Sequence, residues 1–271
     1  MSRRHGPLSV HEHGDPAQPV LLALHGITDS GECWVDLVDR LGSSYRIVAP
    51  DALGHGESAR FTPEQLAADD PAEIMYDAHE SLLEDVGPAF VIGHSMGGGQ
   101  AAALAARRPE LVRAAVLEDP VWFDRWGGED DQLRERIALV EELAGDEEAA
   151  IARARTENQT WPESEYRPWA RAKGAVDMDF VRAGVGVLHT PWREIAAAIR
   201  SPTLVITGDR EVILHEPALA AIAALGNPAL EVHVVADAGH GIRREHPEEF
   251  HALVDPWLRR GWAEGRGRVS V

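Results

Sequence analysis

The stretch Phe90-Val91-Ile92-Gly93-His94-Ser95-Met96-Gly97-Gly98-Gly99 restricts this chain more than any other. An apolar run suited to a buried strand enters a Gly-x-Ser-x-Gly turn, and the alanine-rich residues 101–106 carry on as a helix. Strand, sharp turn and helix together form the setting in which such a motif presents its serine as a nucleophile. Gly93 and Gly97 let strand and helix pass without side chains between them, and Ser95 stands at the apex. The bland alternative is a glycine-rich turn with a passive serine. A dinucleotide fingerprint is the other rival, but it needs glycine where Ser95 stands.

Around this stretch the apolar pattern switches repeatedly between strand and helix periods. Leu8–His13 alternates as an early strand, and Val20–Leu24 is a continuous apolar run, as in a strand covered on both faces. Helical spacing runs from about Ser30 to Leu41, a strand follows at Tyr45–Ala49, and residues 63–86 read as helix despite Pro71. After the Ser95 stretch come a helix to about Arg107 and a strand at Val112–Leu117. The alternation resumes with strands at Pro202–Thr207 and Leu230–Val235 and helices at 215–225 and near Pro247–Arg260. This order predicts an α/β fold, a mostly parallel central sheet with helices on both faces. Between Val121 and about Arg200 only helical runs occur, accompanied by Trp122, Phe123, Trp126, Trp161, Trp169 and Trp192. The expected organisation is one core in two parts, 1–120 and 201–271, interrupted by a helical segment over 121–200.

Composition matters chiefly for what it excludes. A formal charge of −19 disfavours nucleic acid and anionic membrane surfaces as partners. No apolar stretch is long enough to span a bilayer, and none follows Met1 as a signal would. Cys33 is the single cysteine, so no internal disulfide can form and a cytoplasmic location is expected. Lys173 is the only lysine, which reads as a trait of genome composition. His11 and His13 share a strand face, but no third ligand stands nearby, and exposed histidines are expected there rather than a metal site.

A serine hydroxyl needs a base to take its proton, and the base needs an anion to hold its tautomer and balance its charge. His240, in Ala238-Gly239-His240-Gly241, follows the last expected strand and is the best-placed base. The acid is an open choice. Glu118 and Asp119 leave one strand, Asp209 and Glu211 the next, and carboxyl ends of parallel strands are where open α/β sheets place their sites. Alternation along a strand exit keeps Glu118 and Asp119 from facing the histidine together. Arg210 could pair locally with Asp209 or Glu211 and make them structural. These arguments leave the two groups even.

His25-Gly26, Asp51-Ala52-Leu53-Gly54-His55-Gly56-Glu57-Ser58, the Ser95 elbow, Pro202–Asp209 and Ala238-Gly239-His240 occur in an order that resembles the α/β-hydrolase superfamily over about residues 8–260. The resemblance implies the α/β-hydrolase fold with residues 121–200 as a helical cap. Many members place the acid after the later strand, usually as an aspartate three residues beyond the glycine, where this chain has Glu211. A second group, including haloalkane dehalogenases and the lactone hydrolases that open zearalenone, takes it from the earlier strand, about two dozen residues after the nucleophile. Asp119 lies 24 residues after Ser95, so the resemblance implies Asp119, with Glu211 in reserve.

The resemblance further implies an oxyanion hole made by the backbone amides of Met96 and Ile27, with Gly26 as the alternative to Ile27. The Asp51–Ser58 motif reads as a structural loop beneath the site. A serine where dehalogenases carry aspartate leaves acyl chemistry. Trp122, Trp126 and Trp169 are the expected walls of an apolar or aromatic pocket, and the segment around Trp169 is similar to a cap segment of the lactone hydrolases. The expected function is a serine hydrolase cleaving a small ester or lactone, with no metal and no organic cofactor. The alternatives are a cofactor-free haloperoxidase or carbon–carbon bond hydrolase with the same triad, and a ligand sensor with slow turnover. Oligomeric state is not legible.

Overall fold

A computed structural model describes residues 2–123 and 130–267. Among these, eight strands form one sheet: β1 (Ser2–His5), β2 (Leu8–His13), β3 (Val20–Leu24), β4 (Arg46–Pro50), β5 (Ala89–His94), β6 (Val112–Glu118), β7 (Thr203–Thr207) and β8 (Leu230–Val234). Their spatial order is β1-β2-β4-β3-β5-β6-β7-β8. β1 pairs antiparallel with β2, and β2 with β4, while every other neighbouring pair is parallel.

The strand side chains divide between two apolar layers with the period of two that pleating imposes. Leu22, Leu24, Val91, Ala115, Leu117 and Val205 pack with helices Pro71–Val86, Met96–Arg107, Trp192–Ala198 and Glu216–Leu225. Leu21, Ala23, Ile92, Val116, Leu204 and Ile206 pack with helices Val35–Leu41 and Pro247–Gly267. The sheet is thus covered on both faces, and its loops at the strands' carboxyl ends are free to carry chemistry.

Four more helices lie between β6 and β7: Asp130–Ala144, Glu147–Glu157, Glu163–Gly174 and Met178–Ala183. Leu143, Ile151, Ala154 and Tyr166 give them an apolar cluster of their own. A second cluster joins Val140, Phe180 and Val181 to Phe61, Met75 and Met96. These helices therefore rest against the loop after β4 and the elbow itself.

Four local features depart from the sequence pattern. β1 was not anticipated, because Ser2-Arg3-Arg4-His5 carries no apolar signal; it forms as a short edge strand through a turn at Gly6, whose φ is 52°. The helix expected over 63–86 is two, Pro63–Leu66 and Pro71–Val86, since Pro71 has no N–H to continue a helix and suits the first position of a new one. His11 is half-buried, and its Nε2 lies 3.1 Å from Asp51 Oδ1. Arg210 pairs with Asp237 rather than with its sequence neighbours.

Candidate active site

Parallel registry brings the separate motifs to one end of the sheet. Leu24 pairs with Gly93, so the His25-Gly26 exit lies beside the Ser95 exit. His94 pairs with Glu118, and Glu118 with Ile206, so Asp119 and Thr207 follow in the same row.

Ser95 sits at φ 54° and ψ −115°, a conformation rare for a residue with a side chain. The turn is closed by Ser95 N–H donating to Glu118 O at 2.9 Å, and by Gly99 and Val121 N–H donating to Ser95 O at 3.0 and 3.1 Å. A Cβ on Gly93 would meet Gly97 O at 2.1 Å, and one on Gly97 would meet Leu24 O at 2.0 Å. Both glycines are therefore obligatory, for close approach rather than for φ.

His240 Nδ1 lies 2.5 Å from Asp119 Oδ2. Asp119 is fully buried, and its carboxylate also accepts from Thr207 Oγ1 at 2.8 Å, Leu214 N–H at 3.0 Å and Ile213 N–H at 2.9 Å. These donors meet the lone pairs of a carboxylate that burial has taken out of solvent contact. Glu118 turns the other way and accepts from Arg243 N–H at 2.8 Å and its guanidinium at 3.0 Å. Burial pushes the Glu118 carboxyl up, with Arg243 opposing. Glu211 stands exposed on the loop after β7. Glu245 braces the histidine loop by accepting from Gly239 and Gly241 N–H, on either side of His240, at 2.7 and 3.2 Å.

The Gly26-Ile27 segment is held as tightly. His25 Nε2 accepts from Ala52 N–H at 2.9 Å, which leaves Nδ1 as the protonated nitrogen, donating to Gly26 O at 2.8 Å. Asp29 N–H reaches the same carbonyl at 3.1 Å. The Gly26–Ile27 peptide is trans, so its N–H points opposite to that doubly held C=O. Met96 opens helix Met96–Arg107, and its N–H is among the first-turn donors with no acceptor inside the helix. Gly26, Ile27, Ser95, Met96 and His240 all line one open cleft of about 1760 Å³. That exceeds the roughly 300–1,000 Å³ of ordinary ligand pockets, so size alone does not select a substrate.

Of the expected aromatic walls, Trp122 is buried and stacks on Trp192 with ring centroids 5.3 Å apart. It borders both the cleft and a smaller adjoining cavity of about 310 Å³. Trp169 lines the cleft edge-on to Trp161 at 5.9 Å. Trp126 lies outside the described residues. The Asp51 carboxylate accepts from Gly31 and Glu57 N–H at 2.8 and 2.9 Å, bracing the loop below the site. Burial drives His55 down to about 3, so it is neutral there and accepts from Thr28 N–H at 3.4 Å.

A buried ionic cluster without a sequence signature reaches the cleft wall at Asp29, Lys173 and Arg244. Asp29, Lys173, Arg243, Arg244, Glu118 and Glu165 each have side chains no more than 5% exposed. Burial alone would raise the Asp29 carboxyl, but Arg244, Lys173 and Arg243 hold it well below the usual range. Its members come from four distant segments, so spacing carries no trace of it; the one legible hint was a lone lysine in an arginine-rich chain.

Residues 20–253 match the alpha/beta hydrolase family, and the chain belongs to that family. The 2-(acetamidomethylene)succinate hydrolase of Mesorhizobium japonicum is 30% identical over 256 residues, 89% of this chain and 87% of that protein. Lipase LipV of Mycobacterium tuberculosis is 39% identical over 115 residues, 42% of this chain and 41% of the lipase, so the match spans less than half of that relative. A solved E-2-(acetamidomethylene)succinate hydrolase superposes with a TM-score of 0.78 at 25% identity, covering 96% of this chain and 99% of that one. Among the described residues no helix is long and apolar enough to cross a membrane.

Proposed function

We propose that the protein is a serine hydrolase that cleaves small carboxylic esters or lactones through an acyl-enzyme on Ser95. The observation that carries this reading is the buried Asp119 carboxylate holding Nδ1 of His240, a histidine that lines the same cleft as a serine on a strained elbow. In this reading Asp119 holds the proton on Nδ1, and Nε2 takes the Ser95 proton as the hydroxyl attacks the carbonyl. Ile27 and Met96 N–H stabilise the oxyanion. His240 then protonates the leaving alkoxide, and water activated by the same imidazole releases the acid. The helices over 130–183 act as a cap, and Trp122 and Trp169 meet the apolar part of the substrate.

The test is a fluorophosphonate probe followed by a hydrolysis screen. Wild type is expected to label and Ser95→Ala to stay unlabelled; equal labelling of both would remove Ser95 from its role. The screen compares aryl esters, alkyl esters and macrolactones. Because the Mesorhizobium relative acts on a succinate derivative, half-esters of small dicarboxylic acids belong in it too. Trp169→Ala is expected to alter selectivity across acyl sizes more than turnover of a small activated ester. An unchanged acyl-size profile would leave Trp169 as packing only.

A further inference from the structure

Lys173 has no part in the scheme above, yet its ammonium is buried in the wall of the cleft and all its hydrogen bonds go to one loop. It donates to Thr28 O at 2.8 Å, to Thr28 Oγ1 at 3.2 Å and to Asp29 Oδ1 at 3.1 Å. An ammonium is a compact, strongly hydrated charge, and burial is tolerated only when its donors are used and its charge is met. Three acceptors gathered around one nitrogen suit the three N–H groups of Nζ, whereas no guanidinium nitrogen carries more than two. The residue held is itself unusual. Thr28 is β-branched and sits at φ 63°, a strained conformation that persists only when its surroundings impose it.

The contacts continue from Lys173 toward Ser95 as a chain of two peptide planes. Nζ holds the Thr28 carbonyl. The other end of that peptide is Asp29 N–H, which donates to Gly26 O at 3.1 Å. The other end of the Gly26 peptide is Ile27 N–H, the oxyanion donor of the proposed reaction. A cation at the head of such a chain orients each plane and polarises each N–H in the direction that favours negative charge at the far end. Helix Glu163–Gly174 supplies Lys173, so the chain also links the helices over the cleft to the oxyanion loop. Asp29 Oδ2 accepts from Arg244 at 3.0 Å, which keeps the carboxylate aimed and ties in the segment just after His240.

We infer that Lys173 is a positioning residue for the oxyanion hole, acting on the Ile27 amide through the Thr28–Asp29 and Gly26–Ile27 peptides. The inference rests on the proposed serine-hydrolase reading. It requires that loss of the ammonium weaken transition-state binding while leaving substrate binding nearly intact. An ion pair that merely tied a helix to the core would lower stability and leave the chemistry of the folded enzyme alone.

The experiment uses the full chain, p-nitrophenyl acetate as substrate and an alkyl trifluoromethyl ketone as the analogue whose oxyanion occupies the hole. Lys173→Met is expected to lower kcat by about 10- to 100-fold, with KM changed less than about threefold. Affinity for the ketone is expected to fall by the same factor as kcat/KM. A folded Lys173→Met with kcat and ketone affinity within twofold of wild type would overturn the inference, as would a loss confined to KM. If that variant does not fold, Lys173→Met combined with Asp29→Asn removes one charge of each sign and leaves Arg244 with Glu165. The double variant is expected to carry the same loss of kcat, and wild-type turnover in it would overturn the inference equally. Wild-type hydrolysis that survives Ser95→Ala would instead remove the reading on which both stand.

Discussion

The loops that leave β6 and β7 make an instructive pair. They exit adjacent parallel strands at the same end of the sheet, both are acidic, and each holds an acid at positive φ, Asp119 at 37° and Glu211 at 49°. One acid is buried with four donors on its carboxylate; the other faces solvent. The loop after β7 does not compete for His240. It turns Ile213 and Leu214 N–H inward, and with Thr207 Oγ1 from the strand end it becomes the cradle for the acid of its neighbour. A carboxylate is placed by where its donors converge, and here they converge on β6.

That contrast can be broken by substitution, most severely at Asp119. In the proposed reaction Asp119→Asn keeps the shape but lets His240 adopt the wrong tautomer, and kcat for an ester substrate is expected to fall by about 10⁴-fold. Arg243→Met tests the other acid on the same strand exit. It strands the buried Glu118 without its cation, and urea unfolding should report a loss of about 3–5 kcal/mol. Removing one cradle donor is milder: Thr207→Val should cost about 1 kcal/mol of Asp119 positioning, read as an approximately fivefold drop in kcat. The smallest effect belongs to Glu211→Gln, expected to stay within about 0.5 kcal/mol, or roughly twofold, in kcat/KM. A collapse of activity in that variant, with Asp119→Asn still active, would invert the comparison.

Local pattern was enough for the parts whose cause is local. The Gly93-x-Ser95-x-Gly97 turn was legible because neither glycine tolerates a Cβ, and the central strands because burial on both faces demands continuous apolar runs. His240 was legible as the histidine after the last strand. The edge strand β1 was not, since an exposed strand paired on one side has no apolar constraint to write into sequence. Nor was the break before Pro71, where the chain needed two helix starts and showed one apolar pattern.

Sequence by itself determined the alternation of strand and helix, the obligatory elbow glycines, and His240 with four carboxylates as the candidates for the proposed base and acid. Only the tertiary structure decided which acid meets the histidine, because that depends on amides of Ile213 and Leu214 arriving from a different strand. It also decided that the single lysine lies buried against Thr28 and Asp29, in the loop after β3. Both outcomes depend on donors and acceptors brought together from segments about a hundred residues or more apart, and such convergence leaves no period or spacing in the chain.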